Sequence, residues 1–244
     1  MLLSNRDKTA ITYKGTKYSY NQVLIYSQDY ADCFASVGKP QKVLICGQNS
    51  PEWCFAFLGA IRLKAIAVPL DAQSTKKEIE YVINDCKPDI VFITADKKEL
   101  FGEINLCGAR LLTPNEIKLS ESENVPTSEI PMGAAEETML INYTSGTTGS
   151  PKGVMLSYRN VMYNVDSVSK SVPIYQEVSN VMVLLPLHHI LPLLGSLVAP
   201  LHVGGTIHIA EAMNAESIIK TLNEGKISII IGVPRLYDML VKGV

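Results

Sequence analysis

The chain has 244 residues, 47% hydrophobic and 19% charged, with a formal net charge of −2. That length suits one large α/β domain or two small ones, and the composition excludes a disordered chain. The charge gives no general attraction to nucleic acid or anionic lipid, and basic residues run no longer than the pairs Lys76-Lys77 and Lys97-Lys98.

In chain order, residues 10–13 and 17–19 are short β-like runs around Lys14-Gly15-Thr16, a hairpin pattern. Ser19-Tyr-Asn-Gln22 is a capping box, and the helix it opens should stop near Gly38. Residues 43–46 read as a buried strand, and Ser50-Pro51 opens another helix. A strand over 66–70, a helix capped by Thr75-Lys-Lys-Glu78 and a strand over 90–94 follow. This alternation predicts a sheet with right-handed crossover helices. Residues 113–137 break it with six glutamates and three prolines, and read as a solvated acidic linker between subdomains 1–112 and 138–244.

After the linker, 139–143 is a strand, a glycine-rich loop follows, and 154–156 is a second strand. Ser157 caps a helix to about Ser171. Strands are expected over 181–185, 206–209 and 228–232, with helices over 191–203 and 214–224 and a last helix from Pro234. The apolar run 181–203 is long enough to resemble a membrane span. However, Pro186, Pro192, Pro200, His188, His189 and His202 fall within it, which lipid tolerates poorly, so it reads as a buried strand and helix with no integral membrane segment. Peripheral contact with a membrane stays open, and so does the oligomeric state. The five cysteines contain no C-x-x-C, and the N-terminus has no signal-peptide apolar stretch. Both features fit a reducing cytoplasm, and no metal site is expected.

The chemistry concentrates in Tyr143-Thr-Ser-Gly-Thr-Thr-Gly-Ser-Pro-Lys-Gly-Val154. Glycines allow consecutive N–H groups to face one concavity, the hydroxyls of Thr144, Ser145, Thr147 and Thr148 add donors, and Lys152 adds a positive charge. A polyphosphate is the natural guest. A Walker loop is excluded: Pro151 has no N–H to donate, Gly153 stands where the magnesium-binding hydroxyl belongs, and a strand rather than a helix follows.

This loop resembles the signature of the adenylate-forming (AMP-binding) superfamily of acyl-CoA and aryl-CoA ligases, luciferases and peptide-synthetase adenylation domains. Asn49-Ser-Pro-Glu-Trp53, Leu63-Lys-Ala-Ile-Ala-Val-Pro-Leu-Asp71 and Leu185-Pro-Leu-His-His-Ile190 resemble further segments of it, and Gly232-Val-Pro-Arg-Leu-Tyr237 is similar to one common in its long-chain fatty acyl-CoA ligase branch. The resemblance implies two Rossmann-like β-α layered subdomains, as in the N-terminal domain of acetyl-CoA synthetase-like enzymes. It implies ATP, magnesium and coenzyme A as cofactors and a fatty acid or other carboxylate as substrate, activated through an acyl-adenylate. A carrier-protein thiol is the alternative acceptor.

By position, Thr144, Ser145, Gly146, Thr147, Thr148, Gly149 and Lys152 would hold the ATP phosphates, with Lys152 and Thr148 carrying catalysis. His189, Gly232 and Pro234 would border the acyl pocket. His188, His202, His208 and Trp53 read as core residues and Arg235 as a local cap. The family's Tyr-Gly-x-Thr-Glu segment, ribose-binding aspartate and C-terminal catalytic lysine have no counterpart before Val244. The expectation is therefore a truncated piece of a larger enzyme, inactive alone; a non-catalytic nucleotide or acyl-chain binding module is the alternative.

Overall fold

The computed structural model describes residues 7–121, 129–144, 151–234 and 236–237. Strands β1 (Thr9–Tyr13) and β2 (Thr16–Ser19) form the expected hairpin, turning through Lys14 and Gly15 at φ 50° and 79°. That left-handed pair is the backbone of a two-residue turn whose twist matches the strands. Helix α1 (Tyr20–Ala35) starts at a complete capping box: Gln22 N–H donates to Ser19 Oγ at 3.2 Å, and Ser19 N–H donates to Gln22 Oε1 at 2.8 Å.

Strand β3 (Lys42–Cys46) leads to α2 (Pro51–Arg62), where Ser50 Oγ accepts from Trp53 N–H and proline takes the first position. Nearly every α2 residue is buried, the mark of a central core helix. Strand β4 (Ile66–Leu70), helix α3 (Lys76–Cys86) with its Thr75–Glu78 capping box, strand β5 (Ile90–Ile93) and the short α4 (Lys98–Gly102) follow. A strand that the sequence pattern does not announce, β6 (Arg110–Leu112), pairs with β5.

Strands β7 (Thr138–Thr144) and β8 (Lys152–Ser157) are antiparallel neighbours. Helix α5 (Tyr158–Asp166) ends earlier than expected and passes into a π-helical stretch, Ser167–Ser171. Strand β9 (Asn180–Val183) opens the apolar run 181–203. The run continues through α6 (Ile190–Pro192), a π-helical stretch Leu193–Val198 and α7 (Ala199–Val203). Pro192 and Pro200 each remove a helix N–H, so this helix is broken. No helix of the described residues is long and apolar enough to cross a membrane. Strand β10 (Thr206–Ile209), helix α8 (Ala215–Gly225) and the two-residue β11 (Ile229–Ile230) complete the fold.

The strands form two sheets, ordered β11-β9-β10-β1-β2 and β6-β5-β3-β4-β7-β8. Each is parallel apart from one antiparallel hairpin at its end, β1–β2 and β7–β8. The chain therefore does not divide into one sheet before residue 112 and another after 138. Strand β1 pairs with β10, and β7 pairs with β4 across the acidic segment. Pairing follows open sheet edges, not sequence adjacency.

The described parts of the acidic segment, residues 113–121 and 129–137, are less solvated than its composition predicts. Ile117 and Ile130 are buried in the main core, and Asp29 accepts from Ser120 N–H at 2.8 Å. That core takes Ile11, Val181 and Ile207 from one sheet, Val43, Ile45 and Phe92 from the other, and much of α1 and α2. Strand alternation sends Leu44 and Val68 to the opposite face, against Ile79, Val82 and Ile83 of α3.

Candidate active site

Strands β7 and β8 flank the glycine-rich sequence. Tyr143 lies opposite Gly153 and Thr144 opposite Lys152, both of the latter exposed. Ser145, Gly146, Thr147, Thr148 and Gly149 lie outside the described residues. A strand, not a helix, follows the loop, which agrees with the exclusion of a Walker loop. Gly153 has a local cause: a Cβ there would meet Ile141 Cγ2 at 2.9 Å and the Tyr143 ring at 3.1 Å. The Tyr143 hydroxyl donates to Asp85 at the end of α3. Burial, and then that carboxylate, push the phenol pKa up.

Because β7 runs parallel to β4, Thr144 and Asp71 emerge at the same carboxyl edge of the sheet. Open α/β sheets bind ligands at that edge. The histidine segment crosses there, held by two asparagines. Asn49 Nδ2 donates to the Leu185 carbonyl at 2.9 Å, and its Oδ1 accepts from Leu187 N–H at 2.9 Å. Asn142, on β7 and only 5% exposed, donates through Nδ2 to the His188 carbonyl at 2.6 Å. The amides tie the phosphate-loop hairpin and the histidines into one unit.

His188 is buried and His189 exposed, with ring centroids 4.0 Å apart. Burial, and then His189, hold His188 well below the ordinary imidazole range, against the pull of Asp71. Its Nε2 lies 3.7 Å from Asp71 Oδ2 and has no hydrogen-bond partner. The ring is therefore neutral near pH 7, and the Asp71 contact is not an ion pair. A cavity of about 150 Å³ gathers Asp71, Glu78, Tyr143, Thr144, His188 and His189. The Glu78 carboxylate is held below its usual range by the Thr75 hydrogen bonds, so it is engaged as a cap.

Ile190, Leu194 and Gly195, which follow the histidines, line a second cavity of about 440 Å³ together with Val161, Val165 and Ile231. Of the three residues expected at an acyl pocket, His189 alone lines either cavity. Gly232 packs against Leu236 and Tyr237, and Pro234 is exposed. Their neighbour Ile231 is the one that reaches the apolar cavity. Asn142 gave no signal in the sequence, since one polar residue in a strand has no pattern. Asn49 and Asp71 sat inside recognised segments without a role. Among the described residues no group of three or more His, Cys, Asp or Glu is placed to hold a metal ion.

The sheets and this edge define an adenylate-forming type of α/β domain. The model of the AMP-binding enzyme family matches residues 3–244, and the chain belongs to that family. It is 26% identical over 218 residues to a long-chain-fatty-acid–CoA ligase of Homo sapiens, covering 80% of this chain and 33% of that one. It is 24% identical over 234 residues to a feruloyl-CoA synthase of Amycolatopsis sp, covering 95% and 47%. Its fold is similar to that of ATP-bound MatB from Rhodopseudomonas palustris, with a TM-score of 0.81, 24% identity and coverage of 97% and 48%. The chain thus spans about a third to a half of the length of these relatives.

Proposed function

We propose that this chain supplies the phosphate-gripping loop and the acid-facing wall of an ATP-dependent carboxylate-activating enzyme, with fatty acids as its substrates. The observation that carries this reading is the hairpin: Thr144 and Lys152, the paired residues that flank the loop sequence, lie at the sheet edge where Thr144, Asp71 and His189 line a cavity. A substrate carboxylate oxygen attacks the α-phosphorus of ATP, the bond to the bridging oxygen of the β-phosphate breaks, and pyrophosphate leaves. A thiol, that of coenzyme A, then attacks the acyl carbon of the adenylate and AMP departs.

In this scheme the loop, through Thr144, Ser145, Gly146, Thr147, Thr148, Gly149 and Lys152, holds the departing phosphates. Hydrogen bonds to such charged acceptors contribute roughly 1.5–3 kcal/mol each. Magnesium would neutralise charge on the phosphates. His189 orients the acid at the cavity rim, and Asn49 and Asn142 fix the segment that carries it. The family match and the fatty-acid ligase among the relatives support the chemistry and the acid class. Five free thiols support a reducing, cytoplasmic setting.

The test is kinetic. In the active enzyme, Lys152→Ala or Thr148→Ala should slow acid-dependent pyrophosphate release about 10-fold or more, at one lost charged hydrogen bond. The thioester step supplied with ready-made acyl-adenylate should be nearly untouched. Equal loss in both steps would mean that the loop acts through general stability. Binding of ATP and acid without any pyrophosphate release would favour a non-catalytic binding module.

A further inference from the structure

Asn142 and Tyr143 are consecutive on β7, so their side chains leave the sheet on opposite faces. Asn142 shares the face of Leu140 and holds the His188 carbonyl there. Tyr143 shares the face of Ile141 and packs against the cluster that contains Val82, Ile83 and Cys86 of α3. Its hydroxyl donates to Asp85 Oδ2, and the Cys86 thiol meets the same hydroxyl. Two features set this contact apart from ordinary packing. Asp85 lies in the last turn of α3, where the helix presents its negative end and an anion is unfavourable. The carboxylate therefore does nothing for its own helix, and its partner lies on a strand 58 residues away. Gly153, the cross-strand partner of Tyr143, is bare where the ring passes: a Cβ there would stand 3.1 Å from Cζ and 3.3 Å from Cε1. The next pair in the ladder is Thr144–Lys152, the two residues that flank the loop sequence.

We propose that the hydrogen bond from Tyr143 to Asp85 is a latch that fixes where Thr144 and Lys152 stand, which makes Tyr143 and Asp85 positioning residues for the nucleotide phosphates. The proposal rests on the phosphate-gripping reading above. With the latch closed, β7 is pinned from both faces just before Thr144, by the Asn142 amide on one side and by α3 on the other. Asp85 acts only through Tyr143, and Tyr143 acts through the adjoining Thr144–Lys152 pair. Donors and charges that are already in place hold an anion best, because no reorganisation is needed when it arrives. Opening the latch leaves the fold its sheet pairing and core, and frees the strand end to shift at the point where the phosphates are held.

Pyrophosphate and ATP are titrated calorimetrically into the wild-type chain, Tyr143→Phe, Asp85→Ala, Asp85→Asn and the double variant of Tyr143→Phe with Asp85→Ala; urea unfolding is measured on the same samples. Tyr143→Phe removes only the hydroxyl and should weaken both ligands about 3- to 10-fold, the contribution of one hydrogen bond. Asp85→Ala should give the same loss, and because Asp85 is exposed it serves if the ring variant does not fold. The double variant should lose no more than either single one, since both break the same bond. Asp85→Asn keeps an acceptor for the hydroxyl and should recover most of the loss. Wild-type affinity in Tyr143→Phe and Asp85→Ala, even with a lower urea midpoint, would make the bond merely structural and overturn the proposal. A loss in Asp85→Asn as large as in Asp85→Ala would overturn it too. If the wild type binds neither ligand, the phosphate-gripping reading itself fails and the latch falls with it; if the wild type binds both and the variants match it, the latch alone fails.

Discussion

Asn142→Leu isolates the contact that joins the hairpin to the histidine segment. The substitution keeps the branching at Cγ and removes the amide that donates to the His188 carbonyl at 2.6 Å. Both residues are buried, at 5% and 8% exposure, so water does not readily replace the lost donor. A buried carbonyl left without a partner costs about 1–3 kcal/mol. For a chain of this size about 2 kcal/mol corresponds to a melting-temperature drop of about 4–8 °C. Asn49 grips the same segment through two bonds of 2.9 Å, so the two amides share a load. The double variant with Asn49→Ala should therefore depart from additivity by about 0.5–3 kcal/mol. Urea unfolding of the wild type, both single variants and the double variant measures all four corners. A single-variant change under about 0.5 kcal/mol, the size of an ordinary surface substitution, would refute the bracing role. So would strict additivity.

Acid sensitivity follows from His188. Its folded pKa is lowered to about 4, chiefly by burial, so protonation favours the unfolded chain. Its stabilisation is intact above the unfolded value of about 6.5 and is lost as pH falls from there towards about 4. His202 and His208, also depressed chiefly by burial, act with the same sign. The urea midpoint should fall across this window, and less steeply in His188→Phe; an identical slope in that variant counts against a buried neutral imidazole. Gly153→Ala should destabilise by about 1–3 kcal/mol, the range for an overpacked site, because its methyl meets Ile141 and Tyr143. A melting curve matching the wild type would show that the cross-strand packing gives way freely.

Local chemistry was readable from the sequence. The Ser19–Gln22, Thr75–Glu78 and Ser157–Asn160 caps each act within four residues, and all three start helices where the pattern places them. The hairpin at Lys14-Gly15 and the strand after the phosphate loop were legible for the same reason. Long-range pairing was not. Nothing near Ile11 announces that it will lie beside Ile207, and β6, with Arg110 exposed, is too short to show a period. Within the site, the sequence marked the loop and the adjacent histidines, with His188 in the core and His189 at a pocket, but not what holds them in place. That depends on Asn49, Asn142 and Asp71 converging from three distant segments.

The most direct test of the phosphate-gripping assignment is calorimetric titration of this chain with ATP, pyrophosphate and adenosine, repeated on Lys152→Ala. A loop that holds phosphates predicts that ATP and pyrophosphate bind in competition, that adenosine binds far more weakly, and that Lys152→Ala weakens the first two by about 10-fold or more while leaving the melting temperature unchanged. Adenosine binding as tightly as ATP, or ATP affinity indifferent to Lys152, would contradict it.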